Sequence, residues 1–148
     1  MPMQINVPVD IADVLQGWLN GMGVAACADP LPRGLSMSLP LTLVQPMGAG
    51  TRSDVVVDRF AVRLYTWAAD EQAAIAASSM AMACLCAAEE QVTGGTQVYR
   101  VTPTSTPYPA YDPDHPNLAR ACSTAYVWAR ANTIERSTST QQSSSTQQ

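Results

Sequence analysis

At 148 residues and 15.8 kDa the chain has the length of one domain and is long enough to bury a sizeable core. A net charge of -4 gives no basic footprint for neutralising phosphates, so direct nucleic-acid binding is not expected. Only 14% of residues are charged and 47% are hydrophobic, which suggests a surface partly covered by partners. All basic residues are arginine, which reads either as biased composition or as a preference for planar pairing with carboxylates. Four scattered cysteines, Cys27, Cys84, Cys86 and Cys122, fit a reducing compartment better than a disulfide framework. No apolar run is long enough to span a membrane, and the N-terminus lacks a signal-peptide pattern.

The first predicted element is an amphipathic helix, "DIADVLQGWLNGMG". Ile11, Val14, Leu15, Trp18, Leu19 and Met22 share one face, Asp10 is the N-cap and Gly23 the stop. Val24–Cys27 reads as a short extended segment. Leu39, Leu41 and Leu43 then alternate with Ser38, Pro40 and Thr42 as a strand, with Pro40 suiting an edge or a bulge. Gly48–Asp54 reads as a Gly-rich turn into a long strand, "DVVVDRFAVRLYTW". In that strand Phe60, Val62 and Leu64 form a core face, and Arg59, Arg63, Tyr65 and Trp67 form the other. Such a second face suits either the wet side of an antiparallel sheet or an interface.

A second helix is predicted from about Asp70 to Gln91. Ala73, Ala77, Met80, Cys84 and Ala88 fall on one side, and Ile75, Ser79, Met82, Leu85 and Cys86 on roughly the other. A helix apolar all round needs a cover on both sides, either the first helix or a neighbouring subunit. "TQVYRVTPTS" is a further strand, with Val98 and Arg100 opposed to Tyr99 and Val101. It gives way to the Pro-rich loop "TPYPAYDPDHPN". In "RACSTAYVWARA", Cys122, Thr124, Tyr126, Trp128 and Arg130 alternate with small residues that let a helix approach. Residues 1–134 are expected to form the domain and 135–148, rich in Ser, Thr and Gln, a tail that does not fold alone.

Catalytic signatures are absent from this pattern. His115 with Asp112 and Asp114 offers metal-ligating atoms, but a site needs three or four convergent ligands, and Asp-Pro-Asp followed by His-Pro is turn chemistry. Cys84 and Cys86, two apart on a helix, point about 200° away from each other and cannot form a pair. Neither a nucleophile elbow nor a phosphate loop with its lysine is found. No metal, cofactor or enzymatic activity is expected.

The order of elements resembles the tail terminator family of long-tailed bacteriophages. The resemblance is carried by the helix Asp10–Met22, the proline-led strand Pro40–Val44, the strand-to-helix passage "LYTWAADEQAAIAAS" and a last strand ending "YVWAR". It implies an α+β fold, a mainly antiparallel sheet of four to five strands with two helices packed on one face. It further implies a structural virion protein assembled in the host cytoplasm into a ring, commonly a hexamer. Such a ring caps the tail tube protein, meets the head connector or head-closure protein, and lets DNA pass without specific binding. Candidate contact residues are Met47 and Arg52 near the Gly-rich turn, Arg59, Arg63, Tyr65 and Trp67, Ile75 and Met82 on the second helix, and Tyr126, Trp128 and Arg130. For the arginines and aromatics, stacking across neighbouring strands is the competing reading. Alternatives are another neck or tail component, or a small ligand-binding or enzymatic domain with its site around Tyr108, Tyr111, Asp112, Asp114 and His115.

Overall fold

The computed structural model describes residues 2–137. Its elements in order are β1 (Pro2–Val7), α1 (Ile11–Gly21), β2 (Ala26–Cys27), β3 (Leu41–Asp54), β4 (Val57–Ala68), α2 (Glu71–Cys86), β5 (Val92–Thr93), β6 (Thr96–Pro103), β7 (Tyr108–Pro109), β8 (Ala119–Arg130) and β9 (Asn132–Ser137). The fold is mixed α/β, with two helices against a mainly antiparallel sheet. Strands are more numerous than the sequence suggests: a seven-stranded sheet ordered β2-β3-β4-β8-β6-β5, with β7 also on β8, and a separate ribbon of β1 and β9. The β2–β3 pair is the parallel one.

At the centre, β4 and β8 pair over twelve residues without a break, from Val57 opposite Arg130 to Ala68 opposite Ala119. Because strand side chains alternate, this register puts Val62, Leu64, Ala125 and Val127 on one face, all at most 1% exposed. The helices cover that face. Asp10 caps α1 by accepting the amide of Asp13, and Ile11, Leu15 and Leu19 turn inward. Trp18 donates its indole N–H to the carbonyl of Cys84 at 2.7 Å, pinning α1 to α2. Asn20 both donates to and accepts from the backbone of Ala26, so one side chain fixes the start of β2.

Asp70 caps α2 through the amide of Ala73. The helix ends at Cys86, earlier than predicted, and a turn with Glu90 at φ 65° follows. Its inward face is Ala74, Ser78, Ala81, Met82 and Leu85, of which only Met82 and Leu85 belong to a predicted side; buried Ala88 follows in the turn. The cover for this face is the chain's own sheet. The outward face keeps Ala73, Ala76, Met80 and Ala83 exposed, Met80 at 60%. The small residues on β8 let α2 lie close, with the hydroxyls of Ser78 and Ser123 3.5 Å apart and both fully buried.

Three expectations are corrected. Gly48–Asp54 is not a turn but the far arm of β3, and the chain reverses at Val55 and Val56. Two register shifts in that arm bend it, and Gly50 lies so close to β4 that a Cβ would sit 2.6 Å from the carbonyl oxygen of Arg59. In β6 a register shift at Tyr99 puts Val98 and Val101 on the same buried face, where strict alternation opposes them. Finally, Glu135–Ser137 belong to β9, which pairs with β1 from Asn132 opposite Val7 to Ser137 opposite Pro2. The remainder of the predicted tail lies outside the described residues. On the ribbon, Met3, Ile5, Val7 and Ile134 share one face and Gln4, Asn6, Thr133 and Glu135 the other. Arg52 ties its base to the hairpin tip by donating to the carbonyls of Asn6 and Val55 and pairing with Asp58.

Candidate interaction surface

The sheet face away from the helices divides into two halves. At one end a second, smaller core forms, in which Leu41, Leu43 and Trp67 are covered by Leu35 together with Leu31, Leu39 and Leu118. The covering residues come from the segment between β2 and β3 and from the Pro-rich loop before β8. Trp67 is therefore 1% exposed and Tyr65 half-buried.

The clamp that holds the Pro-rich loop there is Asp112, which is 4% exposed. Its carboxylate accepts the indole N–H of Trp67 at 2.8 Å and the amide of Asp114 at 3.0 Å, and lies 2.8 Å from Nδ1 of His115. Arg120 stands 3.9 Å away and stacks over Tyr65, with 4.0 Å to the ring centroid. Burial pushes the Asp112 carboxyl up, but the hydrogen bonds from His115, Trp67 and Asp114, with the Arg120 charge, outweigh it and hold the carboxyl below its ordinary value. A depressed carboxylate contributes stability above its unfolded pKa that is lost as pH falls through the folded one. The indole N–H resonance of Trp67 should therefore stay unchanged on acidification through the usual carboxylate value of about 3.9 and shift only below it. Titration by 1H–15N NMR checks this, and a shift centred at or above that value would contradict the clamp.

The other half of the face is open. Arg59 of β4 stacks over Tyr126 of β8 at 4.4 Å, and Arg100 of β6 over Trp128 at 5.2 Å. Arg63 donates two hydrogen bonds to Oε1 of Gln45 on β3 and stacks over Tyr65 at 4.8 Å. Tyr126 and Trp128 meet edge-on with centroids 6.1 Å apart. Arg130, at the end of the same row, is exposed and reaches Tyr99 Oη at 3.5 Å. The planar stacking of arginine on aromatic rings preorganises each guanidinium, and Arg63 spends its Nε edge on Gln45. Among the described residues Arg59, Arg63, Arg100 and Arg130 form no salt bridge, and Nε of Arg59 is a buried donor without an acceptor.

Of the predicted contact residues, the open half-face brings together Arg59, Arg63, Tyr126, Trp128 and Arg130, with half-buried Met47 opposite Ala61 at its β3 side. It does not include Trp67, which sits in the second core, or Met82, which is 7% exposed in the main core. Both are corrected as surface residues: loops cover the first, and α2 turns the second inward. Ile75 is half-buried against Ala68, Ala74 and Ala121. Arg52 is engaged at the hairpin tip. Arg100 was read on the same side as Val98, and so not named as a contact residue, because its strand was read without the bulge.

Of the residues considered for a ligand site, Asp112, Asp114 and His115 meet in the clamp itself. Tyr108 and Tyr111 are exposed, and Asp112 spends its acceptors on its own chain. Burial, with the nearby charge of Asp29, pushes the Cys27 thiol up, and burial with Glu89 does the same to Cys86, so neither is poised as a thiolate. Among the described residues no three His, Cys, Asp or Glu side chains gather as a metal set, and no helix is long and apolar enough to cross a membrane. No protein-family model matches the sequence, and no curated protein matches it.

Proposed function

We propose that the chain is a tail terminator of a long-tailed bacteriophage, a structural protein that closes into a ring on the tail tube and offers a surface to the head connector. The observation that carries the reading is the half-open sheet face, where arginines stacked on aromatic rings have no carboxylate partner among the described residues. Arginine and aromatic residues are the types that dominate binding energy in protein interfaces. The element order that resembles the family supports the reading further: a capped amphipathic helix, a long hairpin, and a strand that runs directly from Trp67 into an alanine-rich helix. Head-to-tail contacts between unlike faces close into rings when the rotation per subunit permits. The work done is binding, with DNA passing through the ring unbound.

Electron microscopy of the purified protein, alone and mixed with tail tube subunits, tests the reading. Closed rings alone and short tubes capped by rings in the mixture are expected. Indefinite tubes grown from this chain by itself would identify it as a tube subunit instead.

A further inference from the structure

The charges of this chain are segregated between its two layers. Arg59, Arg63, Arg100, Arg120 and Arg130 all lie on the sheet face away from the helices. The helix layer holds Asp10 and Asp13 at the start of α1, Asp70 and Glu71 at the start of α2, and Glu89 and Glu90 just after it. Neither helix contains a basic residue, and none occurs from Asp70 to Tyr99. One molecule thus carries a cationic aromatic face and an anionic face on opposite sides. Among the described residues, Arg120 alone of the arginines on that face finds a carboxylate at home.

We infer that the occupant of the open arginine–aromatic half-face is the acidic helix layer of a second copy of this chain, docked head to tail. The proposal rests on the ring reading and names the two surfaces that meet in it. Charge complementarity selects the partner: carboxylates satisfy guanidinium edges bidentately, and among the described residues Arg59, Arg63, Arg100 and Arg130 have no carboxylate partner. The arginines are spaced among Tyr126 and Trp128, the residue types of a protein interface core, and the helix layer of the same chain supplies the carboxylates to meet them. On the helix side the exposed carboxylates of Asp13 and Glu90 flank the region where α1 packs near β5, and the outward alanines of α2 permit close approach. Because the faces are unlike, every copy donates one and receives one, as a closed ring requires.

Reciprocal charge reversal in the full-length chain tests this. One variant carries Arg59→Glu and Arg100→Glu, the other Asp13→Arg and Glu90→Arg, each checked for folding by circular dichroism. Wild type is expected to be a ring by native mass spectrometry, and each variant alone a single chain. An equimolar mixture should recover the ring mass with the variants alternating, since every contact then again joins opposite charges. If wild type forms rings but both variants do so equally well, the docking faces are wrong and the ring reading stands. If wild type is a single chain at every concentration, the ring reading itself fails. If wild type shifts a short single- or double-stranded DNA probe and the arginine variant alone loses that shift with its ring intact, the occupant is nucleic acid and the proposal is overturned.

Discussion

Replacing Trp67 with alanine is expected to destabilise the protein by about 3–5 kcal/mol, a large share of the roughly 5–15 kcal/mol available to a domain. Trp67 is the largest fully buried side chain and closes the second core between β3, β4 and the two covering loops. Its loss opens a cavity among Leu35, Leu41 and Leu43 and removes the indole donor from the buried carboxylate of Asp112. Trp67→Phe separates the two effects: the ring packing is largely kept, and a cost of about 1–3 kcal/mol reports the lost hydrogen bond. Urea unfolding at fixed chain concentration gives both values. A cost below about 1 kcal/mol for the alanine variant would contradict a packed second core.

Leu85→Ala is expected to cost about 2–5 kcal/mol, whereas Met80→Ala should stay within about 0.5 kcal/mol. Both residues lie on α2, but Leu85 is 0% exposed in the main core and Met80 is 60% exposed on the outward face. The pair fixes which side of α2 meets the sheet, and unfolding measured at a dilution that keeps the chain monomeric reads it without a contribution from assembly. Equal costs would mean that the helix is rotated from the arrangement described.

That rotation could not be read from the sequence, and the reason is physical. When alanine, methionine and serine occupy every side of a helix, apolar periodicity no longer marks a face, and the choice falls to the partner surface. Here the small residues Ala121, Ser123, Ala125 and Ala129 on β8 decide it, by admitting Ser78 and Ala81 to close contact. By contrast, α1 was legible except at its end, since Asp10, the Ile11–Leu15–Leu19 stripe and Gly23 each act within a few residues of one another, whereas Met22, read on the stripe, is the exposed C-cap. The two central strands were legible for the same reason: the period-two pattern of Phe60 to Trp67 and Ala121 to Arg130 needs no distant information.

Features with distant causes escaped. The β1–β9 ribbon joins Pro2 to Ser137, and nothing near either residue announces the other. The bulge at Tyr99 follows from the register of β6 on β8, so Val98 was grouped with Arg100 and opposed to Val101, whereas Val98 and Val101 share a face and Arg100 lies on the other. Trp67 was correctly placed on the arginine–aromatic face, yet the loops that bury it, tied down through Asp112, carry turn residues with no periodicity. The candidate surface was thus legible as a row of residue types on β4 and β8. Its extent was set by the loops.

The most direct test of the central claim, that this chain completes its burial against copies of itself in a closed ring, is the mass of the purified wild-type protein across a wide concentration range by analytical ultracentrifugation. A single discrete oligomer of fixed copy number, unchanged on further concentration, is the predicted result. A 15.8 kDa monomer throughout, or polymers that lengthen without limit, would contradict it.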